Sequence, residues 1–276
     1  MARLLRQLKG VLGCLLLCAA GMAWAQPAAD YKPELAQPGK DVVWVPTPDA
    51  LVNRMLDLAK VSANDTVIDL GSGDGRLVIM AARRGARALG IEYDAKLVDY
   101  AKAAAAKAGV ADRAQFIKAD LFASDISTAT VVTLFLGADL NRRLMPKLLD
   151  LKPGTRIVSN THAVGDWPAD GTASSADDDR TVYYRTALLW IVPAKVAGTW
   201  RFAGGHANLT QRFQKVSGSV TAQGKFAPLS GAMLRGDQLS FNASGAQYSG
   251  TVSGDTIYGT ATSGSVSREW RATRTP

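Results

Sequence analysis

From Thr66 to Ser159 short apolar strands alternate with stretches whose apolar residues recur at helical spacing, and no other feature of the chain restricts its fold so strongly. The pattern predicts a helix over Pro48 to Lys60, a strand at Thr66 to Leu70, a helix near Leu77 to Arg84 and a strand at Ala88 to Ile91. It continues with a helix from Ala95 to Ala108, strands at Ala114 to Ile117 and Thr130 to Leu136, a helix near Asn141 to Leu149 and a strand at Arg156 to Ser159. Strands separated by helices make βαβ units, and such units build a parallel sheet. The expected fold class is therefore α/β, a Rossmann-like, mostly parallel sheet with helices on both faces. Lys152-Pro153-Gly154 reads as the turn that ends the last helix. Trp167 to Asp179 is small and polar and reads as a surface loop; the aromatic, β-branched run Thr181 to Val192 reads as the final strand, with room for an antiparallel partner just before it.

From about Val196 the chain changes to glycine, serine and short alternating stretches. Leu234-Arg-Gly236-Asp237-Gln-Leu239 repeats at an offset of 18 residues as Val252-Ser-Gly254-Asp255-Thr-Ile257. A glycine at the first central position suits a two-residue type II′ hairpin turn. With Trp200, Phe213, Phe241, Tyr248 and Trp270, this predicts a small antiparallel all-β domain, a meander or barrel, after the α/β part. The parallel sheet is complete by Val192 in this reading, so the β part is expected to fold as a separate unit.

The first residues follow a different grammar. Arg3, Arg6 and Lys9 precede an apolar stretch from Gly10 to Gly21, and Ala23-Trp24-Ala25 fits a small-x-small cleavage site. The expected organisation is a signal peptide at 1–25, a Pro/Ala-rich linker at 26–40, the α/β domain at 41–195 and the β domain at 196–276. The apolar stretch is shorter than the roughly 20 residues of a spanning helix, so no stable membrane span is expected after cleavage. The expected location is periplasmic or secreted, or cytoplasmic if translation starts at Met22. Both cysteines, Cys14 and Cys18, fall in this segment, which leaves the mature part without disulfides, thiolate metal sites or cysteine nucleophiles; no metal site is expected. The net charge of +8 falls to +5 without the three basic residues of the signal, and no Lys/Arg cluster gives a strong nucleic-acid signal.

The chemistry concentrates at Val67-Ile68-Asp69-Leu70-Gly71-Ser72-Gly73-Asp74-Gly75, where a strand ends and a helix begins. Its spacing is GxGxG, not the GxGxxG of dinucleotide sites, and Asp69 precedes the loop; an acidic group there favours a cationic ligand over a pyrophosphate. Glu92 ends the second strand, where a carboxylate can accept both hydroxyls of a ribose, with Tyr93 beside it. Asp120 follows the third strand in Lys118-Ala119-Asp120-Leu121, where it can accept an adenine amino group. Three acids at successive strand ends would line one crevice at the carboxyl edge of the sheet.

On these residues the stretch from Val45 to Trp167 resembles the class I (seven-β-strand) methyltransferases that use S-adenosylmethionine (SAM), and Asp69-Leu-Gly-Ser-Gly-Asp-Gly-Arg76 is most similar to the lysine methyltransferases related to the ATP synthase c-subunit enzyme. The resemblance implies SAM as cofactor, with Asp69, Gly71 and Gly73 at its methionine end, Glu92 at the ribose, and Asp120 with Leu121 at the adenine. Ser72, Gly75 and Tyr93 fall in the same segments. Thr47, in Pro46-Thr47-Pro48, is implied to cap the amino-acid end.

Leu136-Gly137-Ala138-Asp139 stands where amino-methyltransferases acting on adenine or glutamine carry an Asn/Asp-Pro-Pro-aromatic motif, which argues against those acceptors. Methyl transfer needs a close, desolvated nucleophile more than an acid or base, so few side chains are obligatory. Asp139 and Asn141 after the fourth strand, and Asn160, His162, Asp166 and Trp167 after the fifth, are the candidates at the acceptor edge. His162 is the candidate proton acceptor, Asp139 an orienting carboxylate, and Trp167 a lid or aromatic wall for a cation. The leading functional reading is a protein-lysine N-methyltransferase. A small-molecule or lipid-linked acceptor, and an exported non-catalytic protein that kept the SAM fold, are the other readings the sequence leaves open.

Overall fold

The computed structural model describes residues 31–174 and 184–275. The expected signal peptide, the first part of the expected linker and the junction between the expected loop and last strand lie outside the described residues.

The α/β part is laid down by α1 (Asp49–Leu58), β1 (Thr66–Leu70), α2 (Arg76–Arg83), β2 (Arg87–Glu92), α3 (Ala95–Lys107), β3 (Ala114–Lys118), β4 (Val131–Leu134), α4 (Ala138–Leu149), β5 (Arg156–Asn160), β6 (Gly171–Ser174) and β7 (Thr186–Ile191). Pro48, with extended ψ, stands just outside α1, and Asp49 places a negative charge on the first turn, where the helix dipole favours it. Leu51, Val52, Met55 and Leu56 form its buried stripe. Asp94 caps α3 by accepting from the Lys96 amide at 2.8 Å. β4 is shorter than the apolar run suggested: the chain leaves the sheet after Leu134, and α4 begins at Ala138, three residues before Asn141. The expected loop from Trp167 contains β6, the antiparallel partner of β7.

The seven strands lie in the order β3-β2-β1-β4-β5-β7-β6, with β1 to β5 parallel and β7 antiparallel to its neighbour β5. The order reverses between β1 and β4, and a sheet of this kind opens its crevice at that point, beyond the carboxyl ends of the strands. Side chains of α1, α2 and α3 bury one face in a single apolar cluster. On the other face Leu140, Leu144 and Leu148 of α4 pack with Ile68, Leu70, Leu134, Trp167 and Trp190. Helices therefore cover both faces, as the alternating pattern requires.

The remaining strands are β8 (Gly198–Phe202), β9 (Gly205–Arg212), β10 (Lys215–Ala222), β11 (Lys225–Pro228), β12 (Ser230–Arg235), β13 (Gln238–Ala243), β14 (Ala246–Ser253), β15 (Thr256–Ser263) and β16 (Val266–Arg274). They form one antiparallel sheet in the order β11-β10-β9-β8-β16-β15-β14-β13-β12, and β10 also packs against β12, so the sheet curls toward a barrel. Trp200, Phe241, Tyr248, Ile257 and Trp270 fill its interior. The sequence repeat has a simple cause: Gly236 (φ 61°) and Gly254 (φ 56°) each open a two-residue hairpin turn, and the flanking Leu234, Leu239, Val252 and Ile257 point inward.

The barrel is tied to the α/β part at two places. Ala194 donates to the Gly236 carbonyl at 2.7 Å, and the Gly236 turn lies against Gly154. The β9–β10 turn inserts Phe213, which stacks on Trp167 with ring centroids 6.0 Å apart. The two glycine turns make a test. Alanine at a left-handed position costs about 1–2 kcal/mol by itself. A Cβ on Gly236 would also come within 3.0 Å of the Gly154 backbone, whereas one on Gly254 meets open space. Gly236→Ala should therefore lower the urea midpoint clearly more than Gly254→Ala; equal losses would remove the contact between the two parts.

Candidate functional site

A cleft opens at the β1/β4 reversal. Thr47, Asp69, Gly71, Ser72, Gly73, Glu92, Tyr93, Asp120 and Leu121 all line it; Gly75 stands behind, as the left-handed residue (φ 81°) from which α2 starts. Within the loop Gly73 (φ 54°) is indispensable, because a Cβ there would sit 2.5 Å from the Trp44 ring nitrogen. The Glu92 carboxylate bridges the loop and its own strand end: one oxygen accepts from the Gly73 amide at 2.9 Å, the other from the Tyr93 and Asp94 amides at 2.7 and 3.0 Å. It is fixed in place and keeps lone pairs for a ligand's hydroxyls.

Asp69 is 6% exposed and accepts from the Thr133 hydroxyl of β4 at 2.6 Å. Burial pushes its carboxyl up to about 7; the Thr133 hydrogen bond opposes this, and the nearby charges of Glu92 and Asp74 reinforce it. No cationic side chain is paired with it among the described residues. The Ser72 hydroxyl, three residues on, is buried and has no hydrogen-bond partner among the described residues.

The segment expected to be a linker departs from that role. Gln37, Pro38, Gly39 and Lys40 line the cleft together with Asp41 to Pro46. A pair of backbone hydrogen bonds, Ala36 to Trp44 and Trp44 to Gln37, folds this strap back on itself. Lys40 donates to Asp120 and stands 4.7 Å over the Tyr93 ring, which raises the Lys40 pKa and lowers that of Asp120, chiefly through their hydrogen bond. Arg76 secures the strap's far end by donating to the Thr47 carbonyl at 2.9 Å while its guanidinium clasps Asp74. Neither the strap nor Arg76's part in it follows from the sequence pattern. The apolar run Val42-Val43-Trp44-Val45 is the one signal that points there.

At the acceptor edge the structure corrects two assignments. Trp167 is 2% exposed: its ring stacks on Phe213, its Nε1 donates to Gln214 at 2.9 Å, and its carbonyl accepts from Trp190 at 2.8 Å, so it belongs to the core under the barrel and is no lid or wall of the cleft. Asp139 has 90% of its side chain exposed on the first turn of α4, paired with Arg142, and does not line the cleft. Asp166 faces the barrel, paired with Arg212. Asn141 and Asn160 are fully buried: Asn141 donates to the Ser159 hydroxyl and the His162 carbonyl, and Asn160 donates to Thr47. His162 stands beside Phe135, a residue of the cleft wall. Among the described residues no group of three or more His, Cys, Asp or Glu side chains is arranged to hold a metal ion.

A family model described as the ANTKMT methyltransferase domain matches residues 69–171. A protein-lysine N-methyltransferase of Saccharolobus islandicus (strain REY15A) is 47% identical over 129 residues, covering 46% of this chain and 80% of that protein. The lysine N-methyltransferases of the ATP synthase c-subunit from Caenorhabditis elegans and Homo sapiens are 34% and 31% identical; this chain spans 60% and 51% of their lengths. A crystal structure described as an RNA methyltransferase from Salinibacter ruber, in complex with S-adenosyl-L-homocysteine, is 47% identical, with a TM-score of 0.51 over 55% of this chain and 96% of that one.

The position of Trp167 has a measurable consequence. Trp167→Ala removes a fully enclosed ring, a change that typically costs about 3–5 kcal/mol. Denaturant unfolding should show a loss of that size, with cofactor affinity retained by the folded fraction. Unaltered stability together with impaired turnover would return Trp167 to the acceptor pocket.

Proposed function

The chain belongs to the S-adenosylmethionine-dependent methyltransferases, in the family that carries the ANTKMT methyltransferase domain, and on that premise we propose that it methylates lysine side chains of a protein. The observation that carries the acceptor is the 47% identity, over four fifths of its length, to an enzyme named for protein lysine. The cleft fits the cofactor independently of that likeness: it holds a buried, unpaired carboxylate, a glycine turn with no room for side chains, and a carboxylate held by three amides.

In this reading SAM supplies a methyl group on a positively charged sulfur. Asp69 answers the cationic end, Glu92 takes the ribose hydroxyls, and Asp120 with Leu121 borders the adenine. The strap and the apolar Leu134 and Leu136 exclude water from the reacting end. The acceptor amine must arrive uncharged, because its lone pair would form the new carbon–nitrogen bond as the methyl–sulfur bond breaks and S-adenosylhomocysteine leaves; the proton the amine sheds passes to solvent. We also propose that the protein works outside the cytoplasm, a reading supported by the Arg3/Arg6/Lys9 n-region, the apolar stretch and Ala23-Trp24-Ala25. The N-terminal residue and cell fraction of the native protein test that location.

A raised carboxyl pKa means that ligand-free Asp69 still holds its proton near pH 6 and loses it as pH climbs through about 7. A cation binds the deprotonated form, so SAM affinity should increase from pH 6 to pH 8, with proton release visible as a buffer-dependent heat in calorimetry. Asp69→Asn should bind weakly with no such release; a wild-type affinity that is flat over this range contradicts the assignment. For the acceptor, methyl-labelled SAM should mark protein in a cell-envelope extract, and acid hydrolysis should return methylated lysine. Label confined to RNA, lipid or small molecules rejects the lysine reading, and SAM binding without any transfer favours a non-catalytic role.

A further inference from the structure

With Trp167 buried under the barrel, the aromatic groups near the reacting end are different ones. Phe135 follows β4, His162 follows β5 and Tyr184 precedes β7, so three separate chain segments bring three rings to one place at the carboxyl edge of the sheet. Phe135 and Tyr184 meet edge to face at 5.0 Å, Phe135 and His162 stack at 6.0 Å, and His162 and Tyr184 are tilted at 5.9 Å. All three are half-buried, and Phe135 is also part of the cleft wall, so the group adjoins the cleft.

The backbone beneath the group is strained. Thr161 has φ 61°, a left-handed value that is a true outlier for a β-branched residue, and such strain persists only where surrounding contacts enforce it. Those contacts are present: the Thr161 amide donates to the Thr186 carbonyl, its hydroxyl donates to Asn160, and buried Asn141 holds the His162 carbonyl at 3.0 Å. The turn they impose swings His162 against Phe135 and ties the end of β5 to the segment that carries Tyr184.

We propose that Phe135, His162 and Tyr184 form the seat for the acceptor's alkylammonium arm. This rests on the lysine reading and specifies the subsite where it is met. Aromatic faces attract a cation and strip water from it; stripping water favours the neutral amine, the form that can attack. The methylene chain gains contact with the same rings. Neither Phe135 nor Tyr184 stands out in the sequence: Phe135 is a lone aromatic within an apolar run, and Tyr184 is the second of a Tyr-Tyr pair that reads as part of the final strand.

The chain has two histidines, and His206 lies in the barrel, so imidazole resonances report the seat separately from the rest of the molecule. The full chain, loaded with S-adenosylhomocysteine, is titrated with Nα-acetyl-lysine methylamide and, in parallel, with the uncharged norleucine analogue. The His162 signal should move with the lysine probe and far less with norleucine, while His206 stays fixed. Tyr184→Ala and Phe135→Ala should weaken the response at least tenfold and Tyr184→Phe should retain it, with S-adenosylhomocysteine affinity staying within twofold in both Tyr184 variants. Absence of a His162 shift in the wild type, or an undiminished shift in Tyr184→Ala, overturns the seat even if labelled lysine is recovered. Recovery of label only outside lysine, with the wild-type shift present, rejects the acceptor reading and leaves an alkylammonium seat in place.

Discussion

A carboxylate held without a cation at the reversal point of the sheet is the constraint around which the site is arranged. Asp69 lies on β1 and accepts a hydrogen bond from Thr133 on β4, across the two strands between which the order changes direction. Burying an unpaired charge is costly, and the structure answers by raising the carboxyl's pKa to about 7. Replacing Asp69 with an apolar residue would make a more comfortable strand end. In the proposed function that cost is offset by a cationic ligand, which the neighbouring loop, Glu92 and the strap would surround.

Arg76 shows how the surroundings are joined. It is the first residue of α2, yet its guanidinium reaches back to Asp74 in the glycine loop and across to the carbonyl of Thr47 and the carboxylate of Asp49. Its burial alone would lower its pKa, but the hydrogen bonds and charge of Asp74 keep it raised and firmly cationic. The loop, the start of α1 and the strap thus meet on one half-buried charge. Closure of the cleft on this side is built into the same residues that begin two helices; toward the opposite end of the strap Lys40 pairs with Asp120 and stands over the Tyr93 ring, and the pair is exposed enough that solvent screens most of its attraction.

Legibility in the sequence followed the range of the interactions involved. The parallel sheet, its helices and the glycine turn depend on local spacing, and β1 appears with the boundaries its apolar run predicts, Thr66 to Leu70. The three acids at strand ends are legible because strand ends can be counted. The strap is not, since Gln37 to Lys40 carries no periodicity and acquires its role only when Trp44, Asp120 and Tyr93, far apart in the chain, converge on it. Trp167 misleads for a related reason: a tryptophan after a strand of the sheet looks like a binding residue until the β9–β10 turn, 46 residues later at Phe213, is known to stack on it.

That last contact bears on how the two parts of the molecule work together. Phe213 and Gln214 pack on Trp167, and Arg212 pairs with Asp166, so the barrel grips the loop after β5 on the side away from the cleft. The same loop begins with the strained Thr161 and presents His162 to Phe135. A left-handed threonine is unstable unless both ends of its segment are held, and here one end is held by Asn141 and the β7 backbone, the other by the barrel's turn. The glycine loop, Glu92 and Asp69 have no such dependence, because α2, β1, β2 and β4 position them from within the sheet. The glycine loop and its carboxylates are thus positioned within the parallel sheet, with the strap closing over them, while the turn that carries His162 is held by sheet and barrel together.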